Sequence, residues 1–367
     1  MKIALITIHN ANNYGAIFQA FATQEILSRY GHVTVINYDN KHISRSFELI
    51  RLTPSLRGVL GVGKDLLRLL PRYRAIKKFR AFININLNLS QQYDKEKLIA
   101  EGCPGFDIYV SGSDQIWNPS CIGNNKKFNE IYFLSFVKEN KKCISYASSF
   151  GNYNFPSKLN DNLATLLKKY SMISVREDSS VSKLDAIGIT AQQVLDPTLL
   201  IDHVSWLNYT NNKKRTEDSE QYILLYTVPK VALIRDIVNF VSKKLGLKVI
   251  ALDQGLFAGA KVAQHIRDAG LNDFIRLFEN SSFIITDSFH GVCFSINFSK
   301  KFVAVSPGIH SNRIDSLLSR TSLTERMVNN IDEMESFDLY KEIDVTDSLA
   351  KLREESICFL EKAINGE

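Results

Sequence analysis

Few side chains in this sequence combine a reactive group with a setting that would expose it at a strand end, and His290 is the first of them. It follows the apolar run Phe283–Thr286 and a short polar turn, and precedes Gly291. A histidine there can give or take a proton near neutral pH. The plainer reading is a histidine that only hydrogen-bonds its own loop. Arg176 follows Ile173-Ser174-Val175 and precedes two acids. Its planar fork suits a carboxylate or a phosphate, unless those neighbouring acids already engage it. Arg313, in Ser311-Asn312-Arg313-Ile314-Asp315, is a second candidate for an anion.

The string Ser111-Gly112-Ser113-Asp114-Gln115-Ile116-Trp117 puts an acid, an amide and an aromatic on one turn. Ser113, Gln115 and Trp117 can serve a sugar, with Asp114 orienting or deprotonating a hydroxyl. The alternative has Asp114 capping a helix and Trp117 filling the core. Asn12-Asn13-Tyr14-Gly15-Ala16 joins the first apolar run to a helix. Gly15 permits close backbone approach, and a helix start offers unpaired N–H groups to an anion. Asn13 as a plain N-cap is the competing reading. The string is not G-x-G-x-x-G, so a dinucleotide fingerprint is absent. Asp287 is read as structural, holding the turn at His290. Trp206 and the five cysteines (Cys103, Cys121, Cys143, Cys293, Cys358) are read as core.

These residues need a scaffold that gathers strand ends. Lys2–Ile8 is a short apolar run of the kind that forms a buried parallel strand. A helix over Phe18–Tyr30 and a strand over Val33–Tyr38 complete a βαβ opening, which implies a parallel sheet with right-handed crossovers. Asp107–Val110, Cys143–Ala147 and Met172–Val175 are further strands, each followed by polar or glycine residues where open α/β sheets place ligands. The polar stretch Asn211–Asp218 reads as a linker. Beyond it a second α/β unit runs through Tyr222–Thr227, a helix over Val231–Leu245, and strands at Lys248–Leu252, Phe283–Thr286 and Lys301–Val305. Asp347–Ala363 is an amphipathic helix. The expected architecture is α/β, with two Rossmann-like domains facing across a cleft. They are an N-terminal domain over 1–210, carrying a basic helical insertion at about 41–90, and a C-terminal domain over 220–367 closed by its own last helix.

Bulk properties narrow the classes. The chain has 367 residues, too many for one ordinary core. The scattered cysteines lack C-x-x-C spacing and histidine partners, which argues against a zinc site and a disulfide framework. No metal is expected. No apolar run approaches the ~20 residues of a membrane span, and no signal peptide is evident, so a cytoplasmic protein is expected. The net charge of +6 is uneven: residues 41–80 hold eleven Lys and Arg against Glu48 and Asp65, set among leucines. Such a stretch can lie on an anionic membrane, or be a solvated surface helix. No nucleic-acid reader motif accompanies the charge.

Seven strings recur in order. They are Asn13-Tyr14-Gly15-Ala16; Val110 to Pro119; Ser145 to Gly151; Ser174-Val175-Arg176-Glu177; Val194 to Leu200; Thr286 to Gly291; and Ser311 to Leu318. Together, over about residues 1–330, they resemble the polysaccharide pyruvyl transferase family. The resemblance implies a fold similar to two-domain GT-B glycosyltransferases. It implies phosphoenolpyruvate as co-substrate, with no other cofactor, and a sugar, polysaccharide precursor or lipid-linked glycan as acceptor. The product would be a pyruvate ketal of the kind found in exopolysaccharide and capsule. It suggests Arg176 and His290 as the positions that bind and activate the donor; the reading of the residues adds Asp114 to catalysis and Arg313, Asn13, Gly15, Ser288 and Gly291 at the donor. The expected arrangement brings Arg176 and His290 to opposite sides of a small dianion. The basic segment 41–80 is outside the shared strings. Two other readings compete: a GT-B-like sugar-nucleotide glycosyltransferase, and a non-catalytic assembly partner at the membrane surface.

Overall fold

The computed structural model describes residues 1–50, 63, 65–123, 127–138, 140–212, 214, 220–308 and 311–366. Arg51, Leu56, Arg57, Val59, Leu60 and Lys64 of the basic segment, and most of the charged linker after Asn212, lie outside them. Two six-stranded sheets carry the fold, each in its own unit. The first contains β1 (Lys2–Ile6), β2 (His32–Tyr38), β3 (Leu89–Tyr93), β4 (Ile108–Ser111), β5 (Lys142–Ser145) and β6 (Tyr170–Met172). Its spatial order is β3-β2-β1-β4-β5-β6, with every neighbouring pair parallel. A separate parallel pair, β7 (Ser174–Val175) and β8 (Gln192–Gln193), belongs to the same unit. The expected strand over Met172–Val175 is thus two strands, broken at Ile173.

The second sheet contains β9 (Tyr222–Tyr226), β10 (Lys248–Leu252), β11 (Gln264–Ile266), β12 (Phe283–Thr286), β13 (Phe302–Val305) and β14 (Met327–Val328). Its order is β11-β10-β9-β12-β13-β14, again all parallel. Both sheets therefore have the doubly wound arrangement in which the first and fourth strands lie side by side at the centre. Central strands are covered on both faces, so they read as unbroken apolar runs: β4, β9 and β12 are buried at every residue. Ile6, Trp117, Tyr132 and Phe133 belong to the core of the first unit; Leu225, Ile237, Ile285 and Val303 belong to that of the second.

Connections bring helices onto the sheets. Those used below are α1 (Tyr14–Leu27), α2 (Leu69–Asn86), α3 (Asp178–Asp185), α4 (Ile234–Leu245), α5 (Leu271–Asn280), α6 (Phe289–Asn297), α7 (Asn312–Arg320) and α8 (Thr346–Asn365). Helix α1 starts four residues before the expected Phe18 and ends at Leu27 rather than Tyr30.

The units do not follow the chain as expected. The first comprises 1–47, 82–201 and 350–367; the second comprises 48–81 and 202–349. Residues 350–365 of α8 thus belong with the first sheet. Leu195 N donates to Ser356 Oγ at 3.0 Å, and Lys142 Nζ donates to the Ile364 carbonyl at 2.8 Å. The physical reason is burial: Phe359, Leu360, Ala363 and Ile364 are all buried where they pack.

Candidate functional site

In a doubly wound sheet, the connections leaving the first and fourth strands depart to opposite sides, which opens a crevice at their carboxyl ends. In the first unit these ends are Ile6 and Ser111. Thr7 Oγ1 donates to the Ser113 carbonyl at 2.9 Å, joining the two loops. Gln19, from inside α1, donates to Thr7 Oγ1 at 2.9 Å and anchors that junction. Gly112 has to be glycine here, since a Cβ would sit 2.9 Å from both Leu5 Cδ1 and Thr7 Cβ. Asn13 caps α1 by accepting from Ala16 N at 3.1 Å, and its side chain is solvent-facing. Gly15 is buried in the first turn behind it.

Asp114 adopts a left-handed backbone with φ 70°, unusual for a residue with a side chain. Its carbonyl is fixed by Ser149 N at 3.0 Å, and its Oδ1 accepts from Gln115 N at 2.8 Å. The carboxylate keeps partial solvent access, with 14% of the side chain exposed. Gln115 lies over Gly151, where a Cβ would meet Gln115 Oε1 at 2.1 Å, and it accepts from Asn118 at 2.7 Å.

Two acceptor candidates on the same turn point away from solvent. Trp117 is fully buried, with its ring stacked on Phe133 at 5.1 Å. Its indole is a core side chain and presents no face to a sugar. Ser113 is also fully buried, donating to Asp196 Oδ2 at 3.3 Å. These two expectations are corrected by burial: the turn turns its aromatic inward.

Arg176 follows β7 and points into an acidic nest. Nη1 donates to Asp196 Oδ2 at 2.7 Å, Nη2 is 3.7 Å from Asp114 Oδ1, and Nε is 3.9 Å from Glu177 Oε2. Its side chain is 2% exposed. Burial pushes the guanidinium pKa down, but Asp196, Asp114 and Glu177 outweigh that and raise it. One guanidinium faces three acidic side chains. That setting repels a dianion, so the geometry does not suit the expected donor-binding role. Arg176 instead ties together the segments bearing Asp114, Glu177 and Asp196. Glu177, which precedes α3, is fully buried and accepts from Ser149 Oγ, Phe150 N, Gly151 N and Ser180 Oγ. Asp196 also accepts from Thr198 N and Oγ1.

In the second unit the equivalent strand ends are Tyr226 and Thr286. Asp287 accepts from Val228 N and Lys230 N, both at 2.7 Å, and from Val231 N at 3.3 Å. It is structural, as expected, but it holds the loop after β9 rather than the turn at His290. That turn is held by Thr286 Oγ1, which accepts from Ser288 N at 3.1 Å, and by Ser288 Oγ, which caps Gly291 N at 3.4 Å. A Cβ at Gly291 would fall 2.0 Å from Thr286 Oγ1, which explains the glycine. His290 is the second residue of α6 and is 7% exposed. Its ring stands edge-on to Phe289 at 5.3 Å, and the Arg313 guanidinium lies 5.6 Å from the centre of that same Phe289 ring. The structure thus gathers Ser288, His290, Gly291 and Arg313 around one helix start and one aromatic ring.

Some neighbours escaped the sequence reading. His9, just past β1, is 1% exposed, with Nδ1 3.2 Å from the Thr7 carbonyl and Nε2 3.1 Å from Asn37 Oδ1. Burial pushes its pKa down, against smaller upward effects from Asn37, Thr7 and Asp39. Tyr226 hydrogen-bonds Ser288, and burial pushes its phenol up. The signal available for Glu177 and Asp196 was their place inside two recurring strings. Of the cysteines, Cys103, Cys143 and Cys293 are buried as expected, Cys121 is half-buried and Cys358 is exposed.

The sequence model described as Polysaccharide pyruvyl transferase matches residues 13–308, most of the chain. No curated protein matches the sequence. Solved structures share the fold. A protein assigned as a UDP-N-acetylglucosamine 2-epimerase from Listeria monocytogenes is 12% identical over 100% of this chain and 97% of its own, with a TM-score of 0.56. S. aureus MnaA with UDP is 10% identical over 99% and 97%, with a TM-score of 0.53. The UDP-GlcNAc 2-epimerase of Methanocaldococcus jannaschii is 12% identical over 98% and 99%, with a TM-score of 0.52. These likenesses concern the GT-B-like fold alone.

Proposed function

The chain belongs to the polysaccharide pyruvyl transferase family, and on that premise we propose that it moves the pyruvyl unit of phosphoenolpyruvate onto two hydroxyls of one sugar. The acceptor would be a polysaccharide or its precursor, free or lipid-linked, and the reaction cytoplasmic, where phosphoenolpyruvate is made. Protonation of the methylene carbon turns the central carbon cation-like. One hydroxyl adds to it, and a second displaces phosphate and closes the ketal. Of the two hydroxyl protons, one ends on the new methyl group and one on the phosphate, so the equation balances without an oxidant or reductant.

The observation that carries this reading is that family strings supply residues after β1, β4 and β12, three of the four strands that border the two central crevices. His290 is assigned to proton delivery or to the leaving phosphate. The cap residues Ser288 and Gly291 offer an anion the start of α6, and Arg313 adds a cation beside Phe289. Asp114, the partly exposed carboxylate in a left-handed backbone, is the candidate base for an acceptor hydroxyl. Asn13 and Gly15 border the same first crevice, and Gln115 remains the acceptor-side amide. Arg176 enters as a positioning residue, acting through Asp114.

Thermal shift of the full chain with phosphoenolpyruvate and with UDP-sugars tests the donor. Stabilisation by phosphoenolpyruvate is expected; preference for a UDP-sugar would overturn the reading in favour of glycosyl transfer. Phosphate release in the presence of glycan diols then tests the chemistry. His290→Asn should lower it by about 10²–10⁴-fold with folding intact.

A further inference from the structure

The basic segment has no part in that chemistry, and the structure divides its residues into two kinds. Arg68 is buried on Asp65 and Arg72 is buried on the Glu48 carbonyl, so both serve the fold. The remainder form a surface. Leu66, Leu67, Leu69, Leu70 and Tyr73 are 54%, 73%, 36%, 59% and 51% exposed, five large apolar side chains within eight residues. Arg74, Lys77, Lys78 and Arg80 follow them and are exposed too. Arg74 lies 3.5 Å from Asp268 and Lys78 lies 2.7 Å from Asp273.

Helical spacing orders these residues. Within α2, Leu70, Tyr73, Lys77 and Arg80 succeed one another at three- and four-residue steps, so they share one stripe, with Leu69 at its edge and Leu66 just before the helix. Ala75, Ile76 and Phe79, on the other side of α2, are buried. The stripe is apolar at its N-terminal end and cationic at its C-terminal end. Soluble surfaces rarely present so concentrated an apolar patch without an occupant.

We propose that the Leu66–Arg80 face of this chain docks on an anionic lipid surface, the leucines and Tyr73 entering the headgroup boundary while Lys77 and Arg80 meet lipid phosphates. Charge decides between occupants. Pairing with a second copy through this stripe would bring another Lys77 and Arg80 to the seam instead of anions. A negatively charged bilayer satisfies both ends of the stripe at once. Because Arg68 and Arg72 are committed to the fold, apolar insertion carries more of the binding than the raw excess of basic residues suggests. This proposal is independent of the pyruvyl-transfer reading.

Flotation of the full chain with phosphatidylglycerol–phosphatidylcholine vesicles, against phosphatidylcholine alone, tests it. The wild type should float with the anionic vesicles and only weakly with the neutral ones. The Leu66→Gln, Leu67→Gln, Leu70→Gln triple variant should lose roughly ten-fold or more in vesicle affinity. The Lys77→Gln variant should lose roughly five-fold. Since the positions are exposed, far-ultraviolet circular dichroism and thermal unfolding should stay unchanged. Failure of the wild type to float, or flotation of the triple variant at wild-type strength, overturns the proposal. So does a wild-type dimer that the triple variant dissociates in the absence of vesicle binding.

Discussion

If Arg176 is a tie rather than a donor ligand, its removal should be felt as lost stability and be relieved by removing its closest partner. The guanidinium contacts Asp196 at 2.7 Å and has Asp114 and Glu177 at 3.7 and 3.9 Å, with Arg176, Glu177 and Asp196 almost without solvent and Asp114 partly exposed. At an effective dielectric of about 20, charges about 4 Å apart attract by about 4 kcal/mol each, and desolvation offsets much of that sum. Removing only the cation strands buried carboxylates, so Arg176→Met should cost about 3–5 kcal/mol. Asp196→Asn keeps the shape and an acceptor for Thr198, and should cost about 1.5–3 kcal/mol. The double variant should cost less than the sum of the singles, with a coupling of about 1–3 kcal/mol. The chain has two tryptophans, Trp117 in the first unit and Trp206 in the second. Urea unfolding in a Trp206→Phe background, followed by Trp117 fluorescence, therefore reports the unit that holds the cluster. Strict additivity, or single costs below about 1 kcal/mol, would refute the argument. Retained stabilisation by phosphoenolpyruvate in the double variant would separate positioning from donor contact.

Three further outcomes follow from the geometry. Gly291→Ala should destabilise the second unit by about 1–3 kcal/mol, read by Trp206 fluorescence in a Trp117→Phe background, because its Cβ drives into Thr286 Oγ1. Asp114→Asn keeps the left-handed backbone, which asparagine tolerates, and gives up one partly exposed charge near Arg176, so it should cost at most about 1 kcal/mol of stability, yet should lower phosphate release by about 10²–10⁴-fold. His9 has a depressed pKa when folded, so the unfolded chain binds the proton first as pH falls. Stability should be full above the ordinary histidine pKa of about 6.5 and should fall below it by at most about 1.4 kcal/mol per pH unit. His9→Gln should remove that part of the slope, measured as urea midpoint against pH.

Strands were the legible part of the chain, for a simple reason. A parallel strand covered on both faces is a short unbroken apolar run, and β1, β9, β10 and β12 announce themselves that way. The start of α1 did not, because every residue of that helix except Glu25 is buried. With no polar face there is no 3.6-residue period to find, and Tyr14–Ile17 passed for loop. Local pattern shows a residue's surroundings where its neighbours in sequence are its neighbours in space, as for Ser288, His290 and Gly291 at the start of α6. It does not show them for Arg176 and Ser113, whose partner Asp196 comes from a distant segment. Trp117 shows the complementary error: amide and acid stay near the surface while an aromatic two residues away points inward. The partition into units was illegible because it depends on which buried faces meet, and segments 48–81 and 350–367 join sheets far from them in sequence.

The placement of α8 bears on how the protein is made. Leu195 and Lys142 wait for Ser356 and Ile364, which are synthesised well after them. A ribosome adding about 5–20 residues per second needs roughly ten seconds or more to cover that interval. During that time the nascent first sheet would expose the apolar surface that Phe359, Leu360 and Ile364 later cover, a period in which a chaperone would find its binding face. A stop codon placed before Ala350 would leave that face open for good.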